Sequence, residues 1–238
     1  MTDPLFRDDA YLAETAATVI GHGAQGGAVL DRTVFYATGG GQPGDTGVLL
    51  WDGGEMPVAA TVKGEGDAAL HLPAEGAGLP PIGAAVTARL EWDRRYRHMR
   101  VHTALHLLSV VLPLPVTGGS ISAEKGRLDF NMPDAPENKE ALEAELNALI
   151  AADHPVTDEW ITDAELEANP GLVKTMAVKP PMGQGRVRLV RIGTGEKPVD
   201  LQPCGGTHVR RTGEIGTVRL GKVEKKGKQN RRVTVLLD

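Results

Sequence analysis

The sequence predicts an α+β protein in which an all-β, barrel-like N-terminal domain precedes an α/β domain whose sheet is mainly antiparallel. Three observations carry that expectation. Residues 1–92 hold 16 of the 30 glycines and consist of short β-branched runs separated by Gly, Pro and Asp, the pattern of a small all-β module. Arg94 to Leu112, RRYRHMRVHTALHLLSVVL, spaces its apolar residues at the helical period and stops at Pro113 and Pro115. Beyond it, alternating segments interleave with helical ones, which places a domain boundary near residue 92 and a second domain over 93–238.

The elements follow in order. ATVIG, AVLDRTVFY, VAATV and AAVTARL supply the β runs of the first domain. After the helix, GRLDFN alternates like a strand, Glu137 to Ala152 has helical period, and PVTDEWI reads as a strand. Thr162 and Glu165 form a capping box for a short helix that ends at Asn169, Pro170 and Gly171. RVRLVRI, IGTVRLGKV and RRVTVLL give three further strands, the last two a hairpin turning within Lys225 to Asn230.

Composition narrows the functional classes. Hydrophobic residues make up 41% and charged residues 24%, so wholesale disorder does not fit. The longest apolar stretch, Leu107 to Val116, is interrupted by Ser109, Pro113 and Pro115 and falls short of the roughly 20 residues a bilayer-spanning helix needs. The acidic opening, MTDPLFRDDAYLAE, lacks the character of an export signal, so a cytoplasmic location is expected. A lone cysteine, Cys204, cannot form an internal disulfide. The net charge of −5 hides an asymmetry: residues 1–92 carry −8, residues 93–169 carry −7 and residues 170–238 carry +10. Lys222, Lys225, Lys226, Lys228, Arg231 and Arg232, with Arg210 and Arg211, can neutralise phosphates, as can Arg94, Arg95, Arg97 and Arg100.

The chemistry concentrates in two short motifs. His98, His102 and His106 follow one another at intervals of four on the predicted helix, and neighbours at that interval project from one face about 6 Å apart along the axis. Either adjacent pair has metal-ligand spacing; the outer two, about 12 Å apart, cannot share an ion. Cys204 and His208 repeat the interval inside PCGGTHV, where Pro and Gly-Gly imply a tight turn. Together the motifs offer the N and S donors of a tetrahedral zinc site. Thr103 stands where the zinc-protease helix carries its general-base Glu, which argues against peptide hydrolysis by that route. Four donors suit a structural site and a catalytic one alike.

These residues resemble the alanyl-tRNA editing family, the free-standing relatives of the editing domain of alanyl-tRNA synthetase. The likeness runs over nearly the whole length, through FYATGGGQPGDTG, HTALH, TGGSI followed by RLDF, and CGGTH. It implies that His102, His106, Cys204 and His208 hold zinc, leaving His98 aside, and that the chain cleaves the ester of mischarged tRNA(Ala), chiefly Ser-tRNA(Ala) and secondarily Gly-tRNA(Ala). Serine is so close to alanine in size that a synthetase pocket separates them poorly, and a second, hydrolytic sieve restores accuracy. On this reading the backbone N–H groups of Gly205 and Gly206 face an oxyanion, Thr117 contacts the serine hydroxyl, and Gly40, Gln42 and Asp45 belong to a specificity and tRNA-contacting loop. Arg210, Lys225 and Lys226 would meet phosphates. No membrane and no obligate protein partner is implied. Two other readings remain: a non-catalytic tRNA-binding module knit by zinc, and an editing deacylase for another tRNA, since threonyl-tRNA synthetase editing domains are similar in both paired-ligand motifs.

Overall fold

The computed structural model describes residues 2–66, 68–175 and 185–238. Helices and sheets are mixed, and the chain divides into two compact units, Met1–Tyr96 and Arg97–Asp238. The division falls inside the helix Trp92–Val111 rather than at its start near residue 92. Among the described residues, no helix is long and apolar enough to cross a membrane.

The first unit holds a closed antiparallel barrel of six strands, in the order Glu14–His22, Ala28–Leu30, Ala69–Pro73, Gly54–Lys63, Gly47–Trp51 and Ala85–Leu90. Alternation buries one face of most strands: Ala17 and Val19, Leu49, Met56 and Val58, and Val86, Ala88 and Leu90 pack with Leu30, Val34 and Phe35. The glycine-rich TGGGQPGDTG run lies against this barrel. Gly44 is required there, because a Cβ at that position would lie 1.9 Å from the carbonyl oxygen of Thr61.

Within the barrel, His71 is fully buried, edge-on to Phe35 at 5.1 Å. Its Nδ1–H donates to the Ala28 carbonyl at 3.0 Å, so its Nε2 accepts from the Thr33 hydroxyl at 2.9 Å. Burial holds this imidazole down at about 4, against an ordinary value of 6.5, despite the opposing pull of the Ala28 carbonyl and Asp45. The unfolded chain therefore takes up a proton at this residue before the native state does. Its neutral form is fully compatible with folding above pH 6.5, and stability is lost as pH falls from there toward 4, about 2 kcal/mol of it by pH 5. Urea midpoints for the wild type and His71→Gln should converge on acidification as the histidine's contribution disappears. Parallel pH profiles would refute this.

In the second unit the expected sheet is in fact two. One has the strand order Val218–Leu220, Asn230–Leu237, Lys125–Asn131 and Val116–Ile121, with Glu224–Lys225 also on Asn230–Leu237. The other orders Val156–Thr162, Arg186–Ile192 and Asp200–Pro203. All these pairings are antiparallel. The C-terminal hairpin forms, but IGTVRLGKV contributes only Val218–Leu220 as a strand, because Thr212–Ile215 closes as a 3-10 turn and Gly216 takes φ +71°. Val116–Ile121 adds a strand that the sequence left unassigned; neither of its paired glycines has positive φ, and both lie beside Lys125–Asn131.

The predicted long helix forms over Trp92–Val111, and from Val101 to Ser109 its side chains are buried all round. Val101 and Leu105 press onto the five-stranded sheet at Gly126, where a Cβ would come 2.5 Å from Val101. Lys139–Ala151 forms the next helix, started by Asn138 accepting from the Ala141 N–H at 2.8 Å. Its Glu143 and Asn147 side chains accept from the N–H groups of Leu220 and Val218, so the edge strand is satisfied by helix side chains. The capping box of Thr162 and Glu165 starts Asp163–Ala168 as expected.

Candidate metal centre

Four side chains meet in the second unit. His102 and His106, one turn apart on the buried helix, face Cys204 and His208 from the turn that follows the strand Asp200–Pro203. One ligand atom from each lies within 4.8 Å of all the others. Cys204 Sγ is 3.4 Å from His102 Nε2 and 3.3 Å from His208 Nε2, and the three imidazole centroids are 4.2 to 5.3 Å apart. The three histidines are buried and Cys204 is partly so. Three imidazoles and one thiolate are the donor set that zinc takes. His98, also buried, is outside the cluster.

The neighbours fix which nitrogen faces inward. His106 Nδ1 is 3.0 Å from Asp200 Oδ2, and His208 Nδ1 is 3.1 Å from the Thr103 hydroxyl, which donates to the Met99 carbonyl at 2.9 Å. Nδ1–H of each ring is thereby engaged, and Nε2 is left for a ligand. Asp200 is itself held: Gln202 Nε2 donates to Oδ2 at 2.7 Å and Lys174 Nζ to Oδ1 at 2.5 Å.

Burial alone would lower the affinity of His106 for a proton, but the hydrogen bonds and charges of Asp200 and Cys204 override it and raise the group to about 9. Burial likewise opposes ionisation of Asp200, yet His106 and Lys174 bring it down to about 2. The Cys204 thiol is penalised by burial and still falls well below its usual range through the charges of His102 and His208. Burial, then the charge of His102, holds His208 well below 6.5. Thiolate with neutral imidazole is the ligating form.

The turn is shaped by Arg188, whose Nη1 donates to the carbonyls of Cys204 and Gly206, each at 2.9 Å, while Nη2 binds Asp158 at 2.7 Å. Gly206 N–H lies 3.5 Å from Cys204 Sγ, whereas Gly205 is exposed. The Thr117 hydroxyl is engaged by its sheet, donating to the Asp129 carbonyl at 3.0 Å and lying 3.4 Å from Asn230 Oδ1. Arg210, Lys225 and Lys226 are exposed, Lys226 pairing with Glu224 at 2.8 Å, and Arg232 is clamped by Asp129. In the first unit Gly40 is exposed at φ +56°, Gln42 is buried, and Asp45 is buried against Arg95. Asp200, Lys174, Gln202 and Arg188 went unnoticed in the sequence; the one available signal was an acidic residue four positions before Cys204.

Residues 187–234 match the family model described as threonyl and alanyl tRNA synthetase second additional domain, and residues 10–94 match that of class II (A) tRNA synthetases. The chain is similar to the alanyl-tRNA editing protein AlaX-M of Methanosarcina mazei, with 37% identity over 98% of this chain and 95% of the relative. It is 38% identical to that of Methanosarcina barkeri, over 98% of both. The alanine–tRNA ligase of Pyrobaculum aerophilum is 36% identical over 94% of this chain, which corresponds to 25% of the ligase.

Proposed function

The chain belongs to the alanyl-tRNA editing family, and from that premise we propose that it hydrolyses mischarged tRNA(Ala), chiefly Ser-tRNA(Ala) and secondarily Gly-tRNA(Ala), with zinc held by His102, His106, Cys204 and His208. The observation that carries this reading is the convergence of four ligand atoms, brought from segments about a hundred positions apart, within 4.8 Å.

Zinc, when bound, supplies polarisation of an ester carbonyl or a water of lowered pKa. The protein's own groups do the rest. Asp200 and Thr103 keep His106 and His208 with Nε2 inward. Arg188 holds the Cys204 carbonyl, and because a trans peptide points its N–H opposite its C=O, the Gly205 N–H is turned away from Arg188. That donor is our candidate for the developing oxyanion, with Gly206 more engaged by the thiolate. The Thr117 hydroxyl has its proton committed to Asp129, which leaves its lone pairs to accept from a serine hydroxyl. Lys225, Lys226 and Arg210 are exposed and suited to tRNA phosphates, as the loop of Gly40 and Gln42 is to a supporting contact. The first unit is the accessory barrel and the second the deacylase.

Purified protein incubated with Ser-tRNA(Ala), Gly-tRNA(Ala) and Ala-tRNA(Ala) should release serine fastest and spare alanine, and a chelator should stop the release. Turnover of none of the three would instead favour a tRNA-binding module with a structural metal. Preference for Ser-tRNA(Thr) would reassign the substrate.

A further inference from the structure

The three-stranded sheet carries an aromatic residue that neither its own packing nor the metal centre accounts for. Trp160, on Val156–Thr162, is 43% exposed, while most large hydrophobic side chains of the protein are buried. The guanidinium of Arg186 lies over its ring, 5.5 Å from the centroid. Arg186 is itself exposed and makes no ion pair among the described residues, whereas its neighbours Arg188 and Arg191 are paired with Asp158 and Glu159. A guanidinium with no ion pair among the described residues and a part-exposed indole therefore stand together.

Their place in the sheet relates them to the metal centre. Trp160 is directly opposite Arg188, and Thr162 is opposite Arg186, so Trp160, Arg186 and Arg188 share one face. Arg188 in turn faces the start of the ligand turn: Leu189 pairs with Pro203, and the Cys204 N–H donates to the Arg188 carbonyl at 3.1 Å. Trp160 and Arg188 thus continue, across their two strands, to Cys204 just past the end of the third. At about 4.8 Å per strand, the first and last backbones are about 10 Å apart. Asp200 and Gln202, which hold the His106 network, sit on that third strand.

Single-stranded RNA is bound by stacking its unpaired bases on aromatic rings and guanidinium planes, with a cation on the backbone. We propose that Trp160 and Arg186 form a stacking shelf for an unpaired base of the tRNA acceptor end, one to three nucleotides before the terminal adenosine, whose ester sits at the metal centre. About 10 Å is roughly the length of three stacked nucleotides at about 3.4 Å each. Asp158 does not oppose this, because Arg188 neutralises it. The ligand is a nucleobase with its phosphate, and the shelf does not depend on which amino acid is attached. The inference rests on the proposed deacylation only for the identity of the RNA.

The test uses Trp160→Thr, which keeps a strand-forming residue, and Trp160→Tyr, which keeps an aromatic ring. With Ser-tRNA(Ala), Trp160→Thr should raise KM about tenfold with kcat nearly unchanged, and Trp160→Tyr should recover most of the loss. With seryl-adenosine, which lacks the preceding nucleotides, both variants should match the wild type. Independently of turnover, a CCA-ended oligoribonucleotide should quench the tryptophan fluorescence of the wild type and quench that of Trp160→Thr, which retains Trp51 and Trp92, far less. Equal KM values together with equal quenching would overturn the shelf. Hydrolysis of no mischarged tRNA alongside intact Trp160-dependent quenching would overturn the deacylase and leave the shelf standing.

Discussion

Cys204→Ala should leave a protein that folds and no longer deacylates Ser-tRNA(Ala), with metal affinity lowered well beyond the about 10- to 100-fold that loss of an outer hydrogen-bonding partner costs. The thiolate is the only sulfur donor and the only negative charge among the four ligands, and its removal leaves three imidazoles to hold the ion. Asp200→Asn separates charge from shape, since it keeps an acceptor for His106 Nδ1 but removes the carboxylate that Lys174 and Gln202 clamp. It should fall inside the 10- to 100-fold range. Competition with a chelator of known affinity measures both without reference to turnover. An unaltered metal affinity in Cys204→Ala would remove the cysteine from the ligand set, and with it the zinc reading. A wild-type affinity in Asp200→Asn would show that the helix alone orients His106.

The ligands were legible in the sequence because each pair is local: two histidines four apart on a helix, and a cysteine and a histidine four apart across Gly-Gly. The groups that tune them were not. Asp200 sits on a four-residue strand, too short for alternation to register, and its partner Lys174 is distant in sequence. Arg188 reads as one basic residue among several in RVRLVRI, and only strand pairing brings it under the ligand turn. The barrel's alternation was readable, yet the closing order of its strands was not, since the pairing of Ala28–Leu30 with Ala69–Pro73 depends on contacts far apart along the chain. Val116–Ile121 was not legible as a strand, because its two adjacent glycines carry no side chains to alternate and yet lie in an edge strand without positive φ. Asp45, in the glycine-rich loop, looked available for a substrate and is buried in an ion pair with Arg95 of the helix.

That last residue sets the largest stability effect to be expected. Arg95 and Asp45 are both essentially without solvent exposure. Arg95 Nε lies 3.0 Å from each Asp45 carboxylate oxygen, its Nη1 donates to the Ala10 carbonyl at 2.9 Å and its Nη2 to the Val34 carbonyl at 2.6 Å. The carboxylate also accepts from the Tyr36 N–H at 2.6 Å. One guanidinium therefore satisfies a buried charge, the buried Val34 carbonyl and the part-buried Ala10 carbonyl at once. Arg95→Leu would strip both carbonyls of this donor and leave the buried carboxylate without its counter-charge, with only the Tyr36 N–H to bind it, and breaking a buried pair from one side costs about 3–5 kcal/mol. Arg95→Lys should rescue little, because an ammonium cannot reproduce the planar fork. The matched control is Arg89 with Glu14, equally close at 2.8 Å but with both side chains more than half exposed. There Arg89→Gln should cost under about 1 kcal/mol, since water and salt screen the pair. Urea unfolding of the two variants measures the contrast directly. If they lost equal stability, the interior ion pair would be no more than a surface one placed indoors, and the loop from Tyr36 to Asp45 would owe its shape to its glycines alone.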